Sequence, residues 1–252
     1  MWSEKSSADA GFGRLGLCAS CGYFPAYVNS RRCTPGDACI RAHSGRQIDR
    51  FLRNTRMLAV KYLDELFWER RAIAARYADV ESIVHLKSDN DEVVRRVVAS
   101  RLPVDQLPSM IKDPDREVRL SIAARLPAPL LVQLIHDPDY LIRATVARRL
   151  PHGQLARLAK DPEREVRKVV AARLPPFALH LLAKDPEPEV RAIVAERALP
   201  EIAVKLLHDE EWWVRLAAVS NVPKEFLTPL CKDPEVEVRE AALARLAEFP
   251  GT

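Results

Sequence analysis

Apolar and polar positions recur along most of the chain with a period of 24 residues. Aspartate stands at Asp89, Asp113, Asp137, Asp161, Asp185, Asp209 and Asp233, with no insertion or deletion between copies. Six positions after each comes an arginine: Arg95, Arg119, Arg143, Arg167, Arg191, Arg215 and Arg239. Val118 and its equivalents (Val94, Ile142, Val166, Val190, Val214, Val238) open an apolar face. Ile122 and Leu126 continue it at four-residue steps, the spacing of one helix face. Leu126-Pro127 then stops the helix, because proline disfavours helical geometry in its predecessor. The stop recurs at Pro103, Pro151 and Pro175, with Val222-Pro223 as a variant. The residues left before the next aspartate include Leu130, Leu131, Leu134 and Ile135 in one copy. They have room for one short helix, and prolines such as Pro129 favour a tight 3₁₀ segment. No alternating strand pattern appears. A unit this small leaves its apolar face open and buries it only by stacking. The pattern therefore predicts an all-α solenoid rather than a globular core.

The polar columns suggest how each unit is held. Asp113 is placed to serve as N-cap, with Pro114 at N1. An acid always follows two positions later (Asp91, Asp115, Asp139, Glu163, Glu187, Glu211, Glu235), where it complements the helix dipole. Arg119 lies four residues after Asp115, the favourable order for an intrahelical pair worth about 0.2–0.5 kcal/mol. The next repeat brings its own acids alongside, so this arginine column reads as a structural ladder rather than a ligand row. A second arginine column (Arg101, Arg125, Arg149, Arg173, Arg197, Arg245) sits near the helix ends. A third basic column is Lys112, His136, Lys160, Lys184, His208 and Lys232. Stacked rows of this kind have the layout to track a phosphate backbone, but the matching acidic columns weigh against nucleic acid. Trp212, Trp213, Tyr140 and Leu141 break the pattern. They read either as protein-contact anchors or as packing between units. Glu65 and Arg71 keep the phase of an earlier unit, so the array spans residues 65–252.

Ahead of the array, Ile48, Phe51, Leu52, Leu58, Tyr62, Leu63, Leu66 and Phe67 recur at helical spacing. The spacing predicts a connecting helix over 46–64 that caps the first repeat. Arg46, Arg50, Arg53, Arg56 and Lys61 lie mostly off its apolar face. They form a solvated surface, or in the sharper reading a phosphate-binding one.

Residues 1–45 are different again. Cys18, Cys21, Cys33 and Cys39 are spaced x2, x11 and x5, and a Pro35-Gly36 turn folds the last pair together. Met1 to Gly16 holds no apolar stretch of a secretory signal. Without export, clustered thiols read as metal ligands rather than disulfides. A structural zinc and a [4Fe–4S] cluster both take four cysteines, and the long x5 gap leans toward the cluster. Cys231 sits in an apolar column and reads as a buried inert thiol.

Charge follows the same boundary. Residues 1–64 carry ten Lys/Arg against five Asp/Glu, and the remainder 29 against 30. No stretch approaches the roughly 18 apolar residues of a membrane helix, so no membrane association and a cytoplasmic location are expected. No nucleophile–base or Gly-rich phosphate motif stands out, so an enzyme is not expected.

The unit Asp-Pro-x-x-Glu-Val-Arg-x-x-Val-Ala-x-Arg-Leu-Pro resembles the leucine-rich repeat variant family over about three quarters of the chain. Joined to the four-cysteine module, it is similar to iron–sulfur members of that family from nitrogen-fixing bacteria. The resemblance implies a right-handed solenoid (superhelix) of 24-residue repeats alternating α and 3₁₀ helices. It also implies a [4Fe–4S] cluster on Cys18, Cys21, Cys33 and Cys39. The expected function is a macromolecule-binding scaffold, redox- or oxygen-responsive, with another protein along the solenoid surface as partner. Electron transfer to a redox enzyme, nucleic-acid binding and a structural zinc are the alternatives.

Overall fold

The computed structural model describes residues 16–248. The expectation about a leader in Met1 to Gly16 falls almost wholly outside them. Among the described residues the fold is all-helical, and the β pairing is a single bridge between Thr34 and Ala38. No described helix is long and apolar enough to cross a membrane. The chain forms two compact units, 1–122 and 123–252.

In the first unit, α1 (Gly45–Asn54) follows the cysteine loops. The helices α2 (Trp68–Tyr77) and α3 (Glu92–Arg101) then repeat at the 24-residue period. The helix α4 (Arg116–Arg125) spans the boundary between the units. The second unit continues with α5 (Tyr140–Arg149), α6 (Arg164–Arg173), α7 (Pro188–Arg197), α8 (Trp212–Val219) and α9 (Val236–Ala247). Between helices run 3₁₀ segments such as Val104–Met110, Ala128–Leu134 and Pro176–Leu181. In Pro200–Leu206, with proline at its first position, the connector is α-helical instead.

One repeat shows why the unit folds this way. Val166, Val170, Ala171 and Leu174 on α6 are all at most 1% exposed. Full burial of each large side chain is worth about 1.5–3 kcal/mol. Leu174 leaves helical geometry (φ −58°, ψ 145°) because Pro175 follows. Leu179 and Leu182 on the following segment close the core from the other side.

Three expectations need correction. The period-defining aspartate is not the N-cap. The helices start two residues later, so the caps are Asp91, Asp139, Glu163 and their equivalents. Asp161 Oδ1 instead accepts the Glu163 N–H at 2.9 Å, shaping the turn that leads into α6. The predicted 46–64 helix is also two pieces. It breaks at Thr55, whose hydroxyl donates to Phe51 O at 2.7 Å, and resumes as a 3₁₀ segment over Arg56–Tyr62.

The arginine ladder is structural, but its partner is not the acid on its own helix. In the following pairs the guanidinium reaches the aspartate 18 residues on. In the first unit Arg71 holds Asp89 and Arg95 holds Asp113. In the second, the pairs are Arg143–Asp161, Arg167–Asp185, Arg191–Asp209 and Arg215–Asp233. Arg167 is typical. It donates to Asp185 Oδ2 at 2.7 Å and Oδ1 at 3.1 Å, and to Asp161 O at 2.7 Å. One side chain thus ties its own repeat to the next. The second arginine column caps the helix before it: Arg173 donates to Ala147 O at 2.6 Å and Leu150 O at 2.8 Å. Asn221 fills that role in its own copy.

Candidate metal centre

The cysteine module is folded by local turns onto α1. Cys21 N–H donates to Cys18 O at 3.0 Å, closing the first pair on one turn. The second pair flanks the predicted Pro-Gly turn. Gly36 has φ 82°, a left-handed value that suits glycine, and Ala38 N–H returns to Thr34 O at 2.8 Å. Cys39 N–H is bound by Gln47 O on α1 at 3.0 Å, and Gln47 Nε2 holds Gly36 O at 2.6 Å. Cys33 N–H donates to Tyr27 O at 3.0 Å. Arg41 ties the two loops by donating to Ser20 O at 3.0 Å.

These turns bring all four predicted thiols, Cys18, Cys21, Cys33 and Cys39, to one small cavity. Its walls are apolar, among them Val28, Ile40 and Phe51. Tyr23 and Tyr27 pack on Phe51 with ring centroids 5.8 and 6.2 Å away. No described cysteine is in a disulfide. As the side chains stand, no three His, Cys, Asp or Glu among the described residues are placed to hold one ion.

The cavity disfavours thiolate charge unless something offsets it. Burial pushes the Cys18 thiol up, and charge on Cys39 and Cys21 adds to it. Burial likewise pushes Cys33 up to about 11, with Cys39, Cys18 and Cys21 contributing. Four thiolates crowded into an apolar pocket repel one another and lack water. A bound metal reverses that, because it favours the deprotonated sulfur. The donor set therefore fits a four-thiolate centre, with [4Fe–4S] or zinc as the candidates.

The surroundings were less legible. Arg31, Arg32 and Arg41 near the thiols are exposed. Arg32 lies over the Tyr27 ring, 5.7 Å from its centroid. Tyr62 Oη donates to Tyr23 Oη at 3.0 Å, linking the segment before the first repeat to the cavity wall. Burial, then the Tyr23 hydrogen bond, drive the Tyr62 phenol far above its ordinary pKa. The basic residues of the connecting segment are largely committed: Arg50 pairs with Asp37, Arg53 with Asp49, and Arg56 stacks on Tyr77. Cys231 is half-buried, with its thiol 3.7 Å from Leu227 O and far along the chain from the module.

The comparisons with known proteins bear on the array. No curated protein matches the chain. The family model described as leucine rich repeat variant matches residues 116–139 and 140–163. A solved structure described as a leucine-rich repeat variant with a novel repetitive protein structural motif is 52% identical. That match covers 91% of this chain and 98% of the other, with a TM-score of 0.85. An engineered protein (17% identity, 83% of this chain and 86% of that chain, TM-score 0.41) is too distant to carry weight. With half of its residues shared over nearly the whole of that relative, the chain belongs to the leucine-rich repeat variant family.

Proposed function

We propose that the chain is a macromolecule-binding repeat scaffold whose N-terminal module holds a [4Fe–4S] cluster on Cys18, Cys21, Cys33 and Cys39. Binding then responds to redox or oxygen state. No catalytic step is assigned. The observation that carries this reading is the convergence of four thiols on one apolar cavity. A bound cluster would supply one-electron exchange and a centre whose stability depends on solvent access. A single zinc on the same four thiols is the alternative, and metal analysis decides between them.

The residues of this chain link the centre to the array. Phe51 lines the cavity from α1, and Gln47 on the same helix holds both the Cys39 N–H and the Gly36 carbonyl. Tyr62, just ahead of the first repeat, is bound to Tyr23 in the cavity wall. A change at the thiols is thus mechanically coupled to the start of the solenoid. Electron transfer to a partner enzyme is the second reading. It is favoured by Leu17 and Phe24, cavity-lining residues that are 37% and 47% exposed. Partner affinity measured for the oxidised, reduced and metal-free chain tests the proposal. A tenfold or greater difference supports sensing. Equal affinities exclude it, and reversible reduction without loss of iron would then favour the electron carrier.

A further inference from the structure

The repeats are nearly neutral as a whole, yet their charges are not spread evenly over the surface. In the second unit an open furrow of about 1060 Å³ runs along the connector side of the stacked units. Every carboxylate in its lining is already engaged. Asp161 is held by Arg143, Asp185 by Arg167, Asp209 by Arg191, and Glu210 also leans on Arg191 at 3.4 Å. Lys160, Lys184 and Lys205 line the same furrow, are exposed, and have no carboxylate within ion-pair distance. A smaller recess shares Lys160 and Asp161 and adds Arg157, which also lacks an acidic partner. On the helix side Lys168 reaches Glu165 and Glu189, and Arg164 reaches Glu187. The Arg–Asp ladder consumes the acids that sequence columns set against the lysines, and leaves the furrow with surplus positive charge.

The furrow is open and larger than the roughly 300–1,000 Å³ of a typical small-ligand pocket. That suits a chain segment. Its lining is partly apolar, with Leu181 45% exposed and Ile202 half-buried beside the lysines. His180, His208 and His136 line the recesses, but no Phe, Tyr or Trp ring does. Single-stranded nucleic acid is usually gripped by stacking its bases on such rings, so the lining favours a peptide. Lys160 and Lys184 belong to one column and stand one stacked helix apart, about 8–10 Å, and Lys205 lies three residues before the column's next member, His208. A peptide in the extended polyproline II conformation has three residues per turn and rises about 3.1 Å per residue, so carboxylates three residues apart fall on one face at about 9 Å.

The geometry points to this furrow as the docking track for an extended acidic peptide, with carboxylates at every third residue and apolar side chains between them. The assignment rests on the scaffold reading above and names the class of partner for it. Lys160, Lys184 and Lys205 receive the carboxylates. Leu181 and Ile202 meet the intervening apolar side chains.

The test uses the full chain and a fluorescein-labelled peptide made of Asp-Val-Thr units, followed by fluorescence anisotropy at low salt. A Lys-Val-Thr peptide and a dT decamer serve as competitors. The expected result is saturable binding of the acidic peptide that weakens as salt rises. Binding falls at least tenfold in the Lys160→Ala/Lys184→Ala/Lys205→Ala variant and stays within twofold in Lys168→Ala. The three lysines are exposed and unpaired, so an unchanged circular dichroism spectrum verifies that this variant folds. Equal binding by the triple variant, absence of saturable binding, or tighter binding of the dT decamer overturns the assignment. A macromolecular partner that both the native chain and the triple variant bind equally would also overturn the furrow, while leaving the scaffold reading intact.

Discussion

Arg167→Met is the sharpest perturbation of the array. The Arg167 and Asp185 side chains are only 9% and 2% exposed. The guanidinium makes two bonds to Asp185 and two to the carbonyls of Asp161 and Pro162, at 2.7–3.1 Å. Methionine keeps the apolar stem but strands a buried carboxylate, and breaking a buried pair from one side costs about 3–5 kcal/mol. Adding Asp185→Leu removes the stranded charge and recovers much of this loss. Recovery is incomplete, because Asp185 also accepts the Glu187 N–H at 2.9 Å. An orphaned buried donor costs about 1–3 kcal/mol. Arg164→Ala is the control, since Arg164 is 53% exposed and its pairs are 3.5 Å or longer. It should cost less than about 1 kcal/mol. Urea denaturation reads all four proteins, with hydrogen exchange to detect loss of cooperativity between repeats, which a linear array permits. A cost for Arg167→Met no larger than the control would refute the ladder as the element joining the units.

Three further outcomes follow from the same contacts. Arg173→Ala removes charged donors from the Ala147 and Leu150 carbonyls and should cost about 1.5–3 kcal/mol by urea denaturation, with Arg173→Lys recovering only part. Leu174→Ala, at a position 1% exposed, should cost about 2–5 kcal/mol in the same assay. Stability should also fall in acid. The Arg215 hydrogen bonds hold Asp233 below its ordinary value, and those of Arg96 bring Asp115 to about 2. For Asp209, burial raises the carboxyl but the Arg191 and backbone hydrogen bonds outweigh it. Carboxyls depressed in the folded state stabilise it above their unfolded pKa of about 3.9 and lose that contribution as pH falls toward 2. The urea midpoint should therefore hold steady down to about pH 5 and drop below about pH 4. A midpoint unchanged at pH 2.5 would remove these pairs from the account.

The sequence made the array readable because its signals are local and repeated. A valine face at four-residue steps and a Leu-Pro stop define a ten-residue helix with no knowledge of what it packs against. Partners across repeats were harder. Asp113 and Asp115 are both plausible caps by residue type. Only the guanidinium of Arg95, 18 residues earlier and one unit away, shows that Asp113 is the rung of a ladder. The break at Thr55 carries no proline or glycine, so periodicity ran on through it. The thiol spacing located the candidate centre. Its wall of Tyr23, Tyr27 and Phe51, and its clamps Gln47 and Arg41, come from folding back of segments with no motif of their own. The neutral charge of the columns concealed the basic furrow, because which acids are consumed depends on pairing in three dimensions.

Iron, acid-labile sulfide and zinc per chain, assayed on protein purified without oxygen, test the central claim most directly. The account predicts about four iron and four sulfide, both lost in Cys39→Ser while the repeats stay folded. One zinc without sulfide, or four free thiols with no metal at all, would contradict it.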